Sequence, residues 1–402
     1  MSERRGRHEG TIFQRQDGRW AGTLDLGWEQ GRRQRKWFYG PTRADVREKL
    51  TRALGEVQRG GFVDADERVT VGAYLDRWLT TLAVRRKTAR SYQQFVTLHL
   101  KPALGRIRLT KLIPAMVRSL LAEKERAGLS ARTVTLIRDV LRIALNQAVT
   151  DGAVQRNVAA LVKRPKPPRR QGPILTAEQA GVFLTRIQGT RLGPVVTIGL
   201  ALGLRLGEVL GLQWSGVDPE AGTIQVERGL ETLGRDRTLV PLKSKESRRT
   251  VRLPEIVRTA LVDQRRRQRE RQLLAGGQWR ADGSNFVFTT RDGRPLDGGN
   301  VTRDLKRLLV QTWMGGKPDC KHPRVVNRQC EDCRAEHLPR LSFHSLRHSC
   351  ASILLAQGVP IRDVAEILGH SDVRLTLSTY AHVIEASRDR AAGVMDRVLQ
   401  VG

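Results

Sequence analysis

The sequence predicts a multidomain α+β protein. It reads as a small three-stranded β-sheet plus one helix, a helical middle domain, and a mainly α C-terminal domain with a small β-sheet. Three observations predict this. Residues 11–40 alternate apolar and basic residues between turn signals, and residues 69–163 repeat apolar positions at helical spacing. A basic, proline-rich stretch then separates both from a long remainder. The boundaries fall at 1–62, 66–163 and 174–402, with 164–173 as linker, and 402 residues allow two or three domains with cores of their own.

GTIFQRQ, RWAGTLDLGW and RRQRKWFYG read as strands, joined at Asp17-Gly18 and at Glu29-Gln30-Gly31. Asp-Gly between alternating residues is a hairpin signal, because glycine supplies the positive φ that a tight turn needs. Thr42-x-x-Asp45 opens a helix to about Gln58 as a loose capping box, with Val46, Leu50, Ala53, Leu54 and Val57 on one face. In the middle domain VTVGAYLDRWLTTL places Val71, Tyr74, Leu75, Trp78, Leu79 and Leu82 on one stripe. RTVTLIRDVLRIALNQAV does the same through Val134, Ile137, Leu141, Ala144, Leu145 and Ala148. Tyr74 and Trp78 share the apolar face, so they read as core rather than as base-stacking residues. Arg85, Arg86, Lys87, Arg90 and HLKPALGRIRL supply an exposed basic edge between the two stripes. Prolines in KRPKPPRRQGP hold the backbone extended and its charges keep it solvated; Thr176-x-x-Gln179 then caps the next helix. Further on, TLVPLK and RTVRLP read as the two strands of a hairpin, LSTYAHV as a short helix, and EASRDRAAGVMDRVLQ as a last amphipathic helix.

Charge sets the class of partner. Lys and Arg number 71 against 41 Asp and Glu, for a formal net charge of +30. Such a field attracts a polyanion, most often nucleic acid, and the excess is densest along residues 61–171. On the N-terminal sheet Arg15, Arg19, Arg32, Arg33, Arg35 and Lys36 are placed to meet a DNA major groove; a solvated basic face on a packed sheet is the plainer alternative. The N-terminus MSERRGRHEG is polar, and no apolar run approaches the ~18 residues that span a bilayer. Four cysteines make no disulfide framework in a chain this long. The expectation is a cytoplasmic protein with no membrane partner.

The C-terminal domain carries a separated set of reactive side chains. Arg205 stands in ALGLRLGEVLGL, Lys243 in PLKSKESRRTVRLP, His344 and Arg347 in FHSLRH, His370 in ILGHS and Tyr380 in STYAHV. Two guanidiniums, an ammonium, two imidazoles and a phenol suit phosphodiester chemistry, in which cations hold a phosphate while a hydroxyl attacks it. No carboxylate cluster that would hold Mg²⁺ stands with them. Tyr380 is the only tyrosine beyond residue 92, so the phenol of Tyr380 is the candidate nucleophile, and the intermediate it forms is covalent. Glu208, one turn after Arg205, reads as orienting that arginine.

In this order and in these local frames the chain resembles the tyrosine recombinase (phage integrase) family. LGLRLGE matches the family's first-arginine box; HSLRHSCASILLAQG and LGHSDVRLTLSTYAHV match its C-terminal boxes. The likeness covers the whole chain, with its specificity after residue 172, and Ser345 departs from the acidic residue that many relatives carry in this box. The resemblance implies an arm-type DNA-binding domain at 1–62, a helical core-binding domain at 66–163 and a catalytic domain at 174–402. It assigns acid–base assistance to His344, a phosphate hydrogen bond to His370, and protonation of the leaving 5′-hydroxyl to Lys243, with Lys245 two residues on as the other ammonium in reach. It also implies recombination of double-stranded DNA at core and arm-type attachment sites by a homotetramer, through a 3′-phosphotyrosine and a Holliday junction, without a catalytic cofactor. An excisionase or a host DNA-bending protein, and a nucleoid location in a bacterial host, belong to the same picture. The arm-like N-terminus favours the integrase of a phage or an integrative element over chromosome-dimer-resolving relatives. A monomeric type IB topoisomerase and a catalytically silent DNA-binding regulator are the rivals, and the complete reactive set argues against silence.

Residues 315–340 break the family pattern. Cys320, His322, Cys330, Cys333 and His337 crowd a segment with little apolar content, and four of the five would make a tetrahedral structural Zn²⁺ site, leaving one histidine spare. Cys350, inside RHSCASILL, reads instead as a buried helix cysteine.

Overall fold

The computed structural model describes residues 11–29, 32–58, 68–165, 172–234, 236–242, 247–280, 285–314, 341–374, 376–377 and 379–380, with the backbone alone for 26–29, 32–34, 56–58 and 310–314. The chain divides into two units, Met1–Arg169 and Arg170–Gly402.

In the first unit β1 (Thr11–Gln14), β2 (Trp20–Glu29) and β3 (Arg32–Gly40) form an antiparallel sheet in that order. The first turn closes at Gly18, whose φ is 82°, with the Asp17 carboxylate accepting from the Arg19 N–H. The helix Arg43–Gln58 starts on the Thr42/Asp45 pair, each side chain accepting from the other's backbone N–H. Leu24, Leu50 and Ala53 form its core with Ile12, Phe38 and Leu54; the Val57 side chain lies outside those described. Strand alternation puts Arg35, Trp37 and Tyr39 on the exposed face and turns Lys36 and Phe38 away from it. Lys36 therefore does not share a face with Arg35. The exposed face is as aromatic as it is basic: Phe13 meets Trp37 edge-on, Trp37 stacks on Tyr39, and the Arg15 guanidinium lies over Tyr39.

The helices Val71–Thr80, Arg86–Phe95, Pro114–Arg126 and Ala131–Thr150 enclose a second core. Thr70 and Ser130 cap two of them through their hydroxyls. Both apolar stripes read from the sequence face inward, Tyr74 and Trp78 included, and the Tyr74 hydroxyl donates to Asp151. Arg138 is buried on the long helix and donates to the Val162 carbonyl, which ties the segment ending at Pro165 to that helix.

The second unit is built around the helix Gly193–Ala201, buried over Gly193–Leu200 and apolar but for Thr197, whose hydroxyl donates to the Gly193 carbonyl. The helices Ala177–Ile187, Glu255–Ala275, Gly298–Met314 and Phe343–Ala356 belong to the same unit, and Thr176 and Gln179 make the expected reciprocal cap. The described strands of this unit form two sheets. β4 (Val217–Asp218), β5 (Thr223–Val226) and β8 (Arg249–Arg252) make one in the order β4-β5-β8; β6 (Arg228–Leu233) and β7 (Asp236–Pro241) make the other. The expected pairing of TLVPLK with RTVRLP does not form. A turn after Leu233, with Gly234 at φ 65°, lets β7 fold back on β6, while β8 sets Val251 opposite Ile224 in the main core. Local turn closure and core burial outcompete the hairpin. Among the described residues no helix is long and apolar enough to cross a membrane.

Candidate active site

The site begins at a backbone turn. Gly203 adopts φ 63°, and a Cβ there would sit 2.5 Å from Leu368 and 3.3 Å from Cys350 Sγ. Only glycine allows the turn and the close packing together. Its carbonyl accepts at 2.8 Å from Arg347 Nη1, a contact across 144 residues. Arg347 is 2 % exposed, and its other terminal nitrogen, Nη2, has no hydrogen-bond partner among the described residues. Burial first, and then the positive charge of Arg205, push its pKa down to about 10. A buried guanidinium with an open donor is costly unless an anion completes it.

Arg205 stands just before the short helix Leu206–Leu210. Its backbone N–H and its Nη1 both donate to Glu208, at 3.0 and 2.6 Å, while the side chain remains 42 % exposed. Glu208 is 2 % exposed and also accepts from Arg249 Nη2 at 3.2 Å. Its carboxyl pKa lies below the usual range: burial opposes this shift, but Arg249 and Arg205 together outweigh it. Arg249 Nε and Nη1 donate to the carbonyls of Ile367 and Ser247. Ile367 belongs to the helix Ile361–Leu368, which ends at Gly369 with φ 68°; a Cβ on Gly369 would lie 2.7 Å from Arg249 Nη1. One buried carboxylate thus links the loop of Arg205 to the turn that presents His370.

The helix Phe343–Ala356 carries His344, Arg347 and His348. Ser342 and Ser345 close its N-terminus by exchanging hydroxyl-to-N–H bonds, so the serine in the acidic position still satisfies the cap. Ser349 accepts from the Leu175 N–H and anchors the helix to the start of this unit. His344 keeps an exposed edge, yet burial of its ring and the charges of His348, Arg347 and Arg205 hold its pKa down to about 4. His370 Nδ1 lies 2.7 Å from the Thr376 hydroxyl; burial, then Arg347, Arg205 and Arg249, push its pKa down to about 4 as well. Both imidazoles are neutral at neutral pH. Tyr380 is 2 % exposed among Ala351, Leu355, Val364 and Leu368, and burial lifts its phenol to about 12 against the opposing pull of Arg347. Its Oη lies 2.7 Å from His348 Nδ1.

The structure therefore gathers Arg205, His344, Arg347, His370 and Tyr380 into one neighbourhood from three stretches of chain. Lys243 and its neighbour Lys245 lie outside the described residues, as do Cys320, His322, Cys330, Cys333 and His337. Among the described residues no group of three or more His, Cys, Asp or Glu is arranged to hold a metal ion. Cys350 is a buried helix cysteine, its thiol pushed up to about 12 by burial. Two residues enter that sequence reasoning passed over. Arg249 alternates inward with buried Val251 on β8, and a cation on the core side of a strand calls for a buried carboxylate. His348 follows His344 by four residues, one helical turn on the same face.

Comparison with known proteins gives the family. Residues 174–386, more than half of the chain, match the model of the phage integrase family. A tyrosine recombinase XerC-like protein of Caldanaerobacter subterraneus is 27 % identical over 92 % of this chain and 93 % of its own length. An integrase of Streptomyces ambofaciens is 29 % identical over 100 % of this chain and 99 % of its own. Among solved structures, the Tn1549 transposon integrase in complex with transposon right end DNA aligns with a TM-score of 0.65 at 22 % identity, covering 82 % of this chain and 99 % of that one. A lambda integrase tetramer bound to a Holliday junction aligns at 0.53 and 16 %, covering 94 % and 96 %. These likenesses show a shared fold, and with the family match they place the chain in the phage integrase family, the tyrosine recombinases, enzymes that cleave and rejoin DNA in site-specific recombination.

Proposed function

We propose that this recombinase is the integrase of a phage or an integrative element, acting on double-stranded DNA through Tyr380. The open Nη2 of buried Arg347 carries the reading: it is a charged donor left for an anion, beside a second guanidinium whose outer edge is exposed. A scissile phosphate would accept from Arg347 Nη2 and from Arg205, and the growing charge on its non-bridging oxygens strengthens both bonds in the pentacoordinate transition state. His370 and His344, both neutral, add hydrogen bonds without further charge. The Tyr380 oxygen attacks phosphorus, a 3′-phosphotyrosyl bond forms, and the 5′-oxygen leaves with a proton from Lys243. In rejoining, a 5′-hydroxyl attacks that bond and frees the tyrosine.

In this reading residues 1–62 bind arm-type sites, 66–163 the core site, 164–173 link them to the catalytic domain at 174–402, and four copies exchange strands through a Holliday junction. An excisionase or a host DNA-bending protein sets direction, and the protein works at the bacterial nucleoid. Four of Cys320, His322, Cys330, Cys333 and His337 hold one Zn²⁺ that orders 315–340 and takes no part in cleavage. The test is a nicked suicide substrate that traps the covalent adduct. Tyr380→Phe should bind DNA like the wild type and form no 3′-adduct; an adduct formed by this variant would remove Tyr380 from the role.

A further inference from the structure

The phenol of Tyr380 makes one described hydrogen bond, and its partner is a histidine outside the reactive set read from the sequence. His348 Nδ1 lies 2.7 Å from Tyr380 Oη across 32 residues, a normal length for a strong bond to a hydroxyl. The imidazole sits on the Phe343–Ala356 helix beside two members of the site. His344 meets it edge to face, with ring centroids 4.5 Å apart, and Arg347 precedes it directly. Resting on the assignment of Tyr380 as nucleophile, we propose that His348 is the proton acceptor for Tyr380, a catalytic residue in both directions of the reaction. In cleavage the Oη–H bond breaks as the Oη–P bond forms, and the proton passes to His348 Nδ1. The 5′-oxygen departs with a proton from its own acid. In rejoining, the 5′-hydroxyl gives its proton back to that acid and displaces the tyrosine oxygen from phosphorus, and the imidazolium returns the other proton to the leaving phenolate.

The surroundings suit that duty. A base must be neutral before it can accept, and burial, then the charge of Arg347, hold the His348 pKa below its ordinary value. A phenol lifted to about 12 by burial does not ionise unaided near neutral pH, so attack needs an acceptor. Arriving phosphate brings negative charge beside the imidazole, which raises its basicity at the moment it is required. The charged or titratable groups that face His348 among the described residues are Tyr380 from the C-terminal segment and His344 and Arg347 from its own helix. His344 lacks a described bond to the phenol and is free to serve the phosphate.

Two variants separate proton transfer from placement. His348→Ala removes the ring; His348→Asn keeps an acceptor near the Nδ1 position that cannot take a proton. With the full chain and the nicked substrate, both should bind DNA as the wild type does and form adduct roughly a hundredfold more slowly, the range of a lost general base. Their rates should rise with pH where the wild-type rate has levelled, because hydroxide must then ionise the phenol. Replacing Tyr380 by a fluorinated tyrosine of lower pKa should recover most of the loss in His348→Ala. Wild-type or faster cleavage by His348→Ala would overturn the proposal and make the contact a latch on the resting phenol. Full activity of His348→Asn, or failure of the fluorinated residue to rescue a folded His348→Ala, would reduce it to placement. Adduct formation by Tyr380→Phe would instead sink the nucleophile assignment itself, so the two failures are distinguishable.

Discussion

The two arginine corners of the catalytic unit are made differently. Around Glu208, each nitrogen of Arg249 has an acceptor, a carboxylate or one of two carbonyls, and Arg205 is held by the same acid. Around Arg347, one donor meets a carbonyl, one is left open, and the neighbouring phenol and imidazoles are desolvated beside positive charge. The first corner looks like structure completed, the second like structure awaiting an anion. The difference teaches where to look for chemistry in a site full of cations. Charge alone does not mark it, because Arg249 is as cationic as Arg347 and its side chain is also little exposed; a nitrogen left without an acceptor does.

The largest effect should come from breaking the completed corner. Glu208→Ala strands Arg249, buried, without its counter-charge, and should cost about 3–5 kcal/mol of stability, the range for removing one partner of a buried pair. Arg205, 42 % exposed, adds little to that figure because solvent screens it. Chemical denaturation checks this, and the double change Glu208→Met with Arg249→Met should recover much of the loss. Acid sharpens the point. His344 and His370 have folded pKa values near 4 against 6.5, so the unfolded chain binds more protons between those values and wild-type stability should fall as pH drops through them. Glu208, whose folded pKa is depressed, contributes stability above 4.5 that is lost as pH falls further. Glu208→Ala should abolish the second loss and keep the first; a variant with both limbs intact would take the carboxylate out of the network.

The open corner should respond in the opposite sense. Arg347→Lys keeps a charge and loses the planar fork, and cleavage of the suicide substrate should fall about a hundredfold or more, the scale of a lost transition-state donor. Stability should move little or rise, since the wild-type residue holds an unmet donor in a buried place. Binding assays and unfolding curves on the same variant decide it. Equal losses in DNA affinity and cleavage would make Arg347 a ground-state anchor, and a loss of several kcal/mol would make it part of the framework.

Much of this was legible beforehand because it is local. Thr42 with Asp45, Thr176 with Gln179, the apolar stripes ending at Leu82 and Ala148, and the Asp17-Gly18 turn all depend on neighbours within a few residues. The reactive set was legible through its likeness to a known family, and Arg205, His344, Arg347, His370 and Tyr380 do converge. What escaped depends on distant partners. Nothing near Arg249 announces a carboxylate 41 residues back, and nothing near His348 announces a phenol 32 residues on. The mistaken pairing of β7 with β8 has the same root, since alternation gives a strand its faces but not its neighbour. The π-helical turn Val96–Leu100, which interrupts an otherwise regular helical run, likewise answers to packing: Val96 and Leu100 are both fully buried there.

The smallest change serves to separate stability from chemistry between the two corners. Thr176 caps the helix Ala177–Ile187, accepting from the Gln179 N–H while the Gln179 side chain accepts from the Thr176 N–H. Thr176→Ala should cost about 1 kcal/mol, the usual worth of an N-cap hydroxyl, and should do so at any pH between 4 and 9 because no titrating group is involved. The same residue lies next to Leu175, whose N–H is held by Ser349 on the helix that carries Arg347. If catalysis needed only a well-formed framework, a loss of this size would slow cleavage in step with the small rise in unfolded protein, which at 1 kcal/mol is negligible for a domain stable by several kcal/mol. The expected outcome is a lower unfolding midpoint and an unchanged rate of adduct formation at 25 °C. A clear drop in that rate would show that strain reaches Arg347 through Leu175 and Ser349, and the open corner would then have to be counted as mechanically coupled to the start of its own unit.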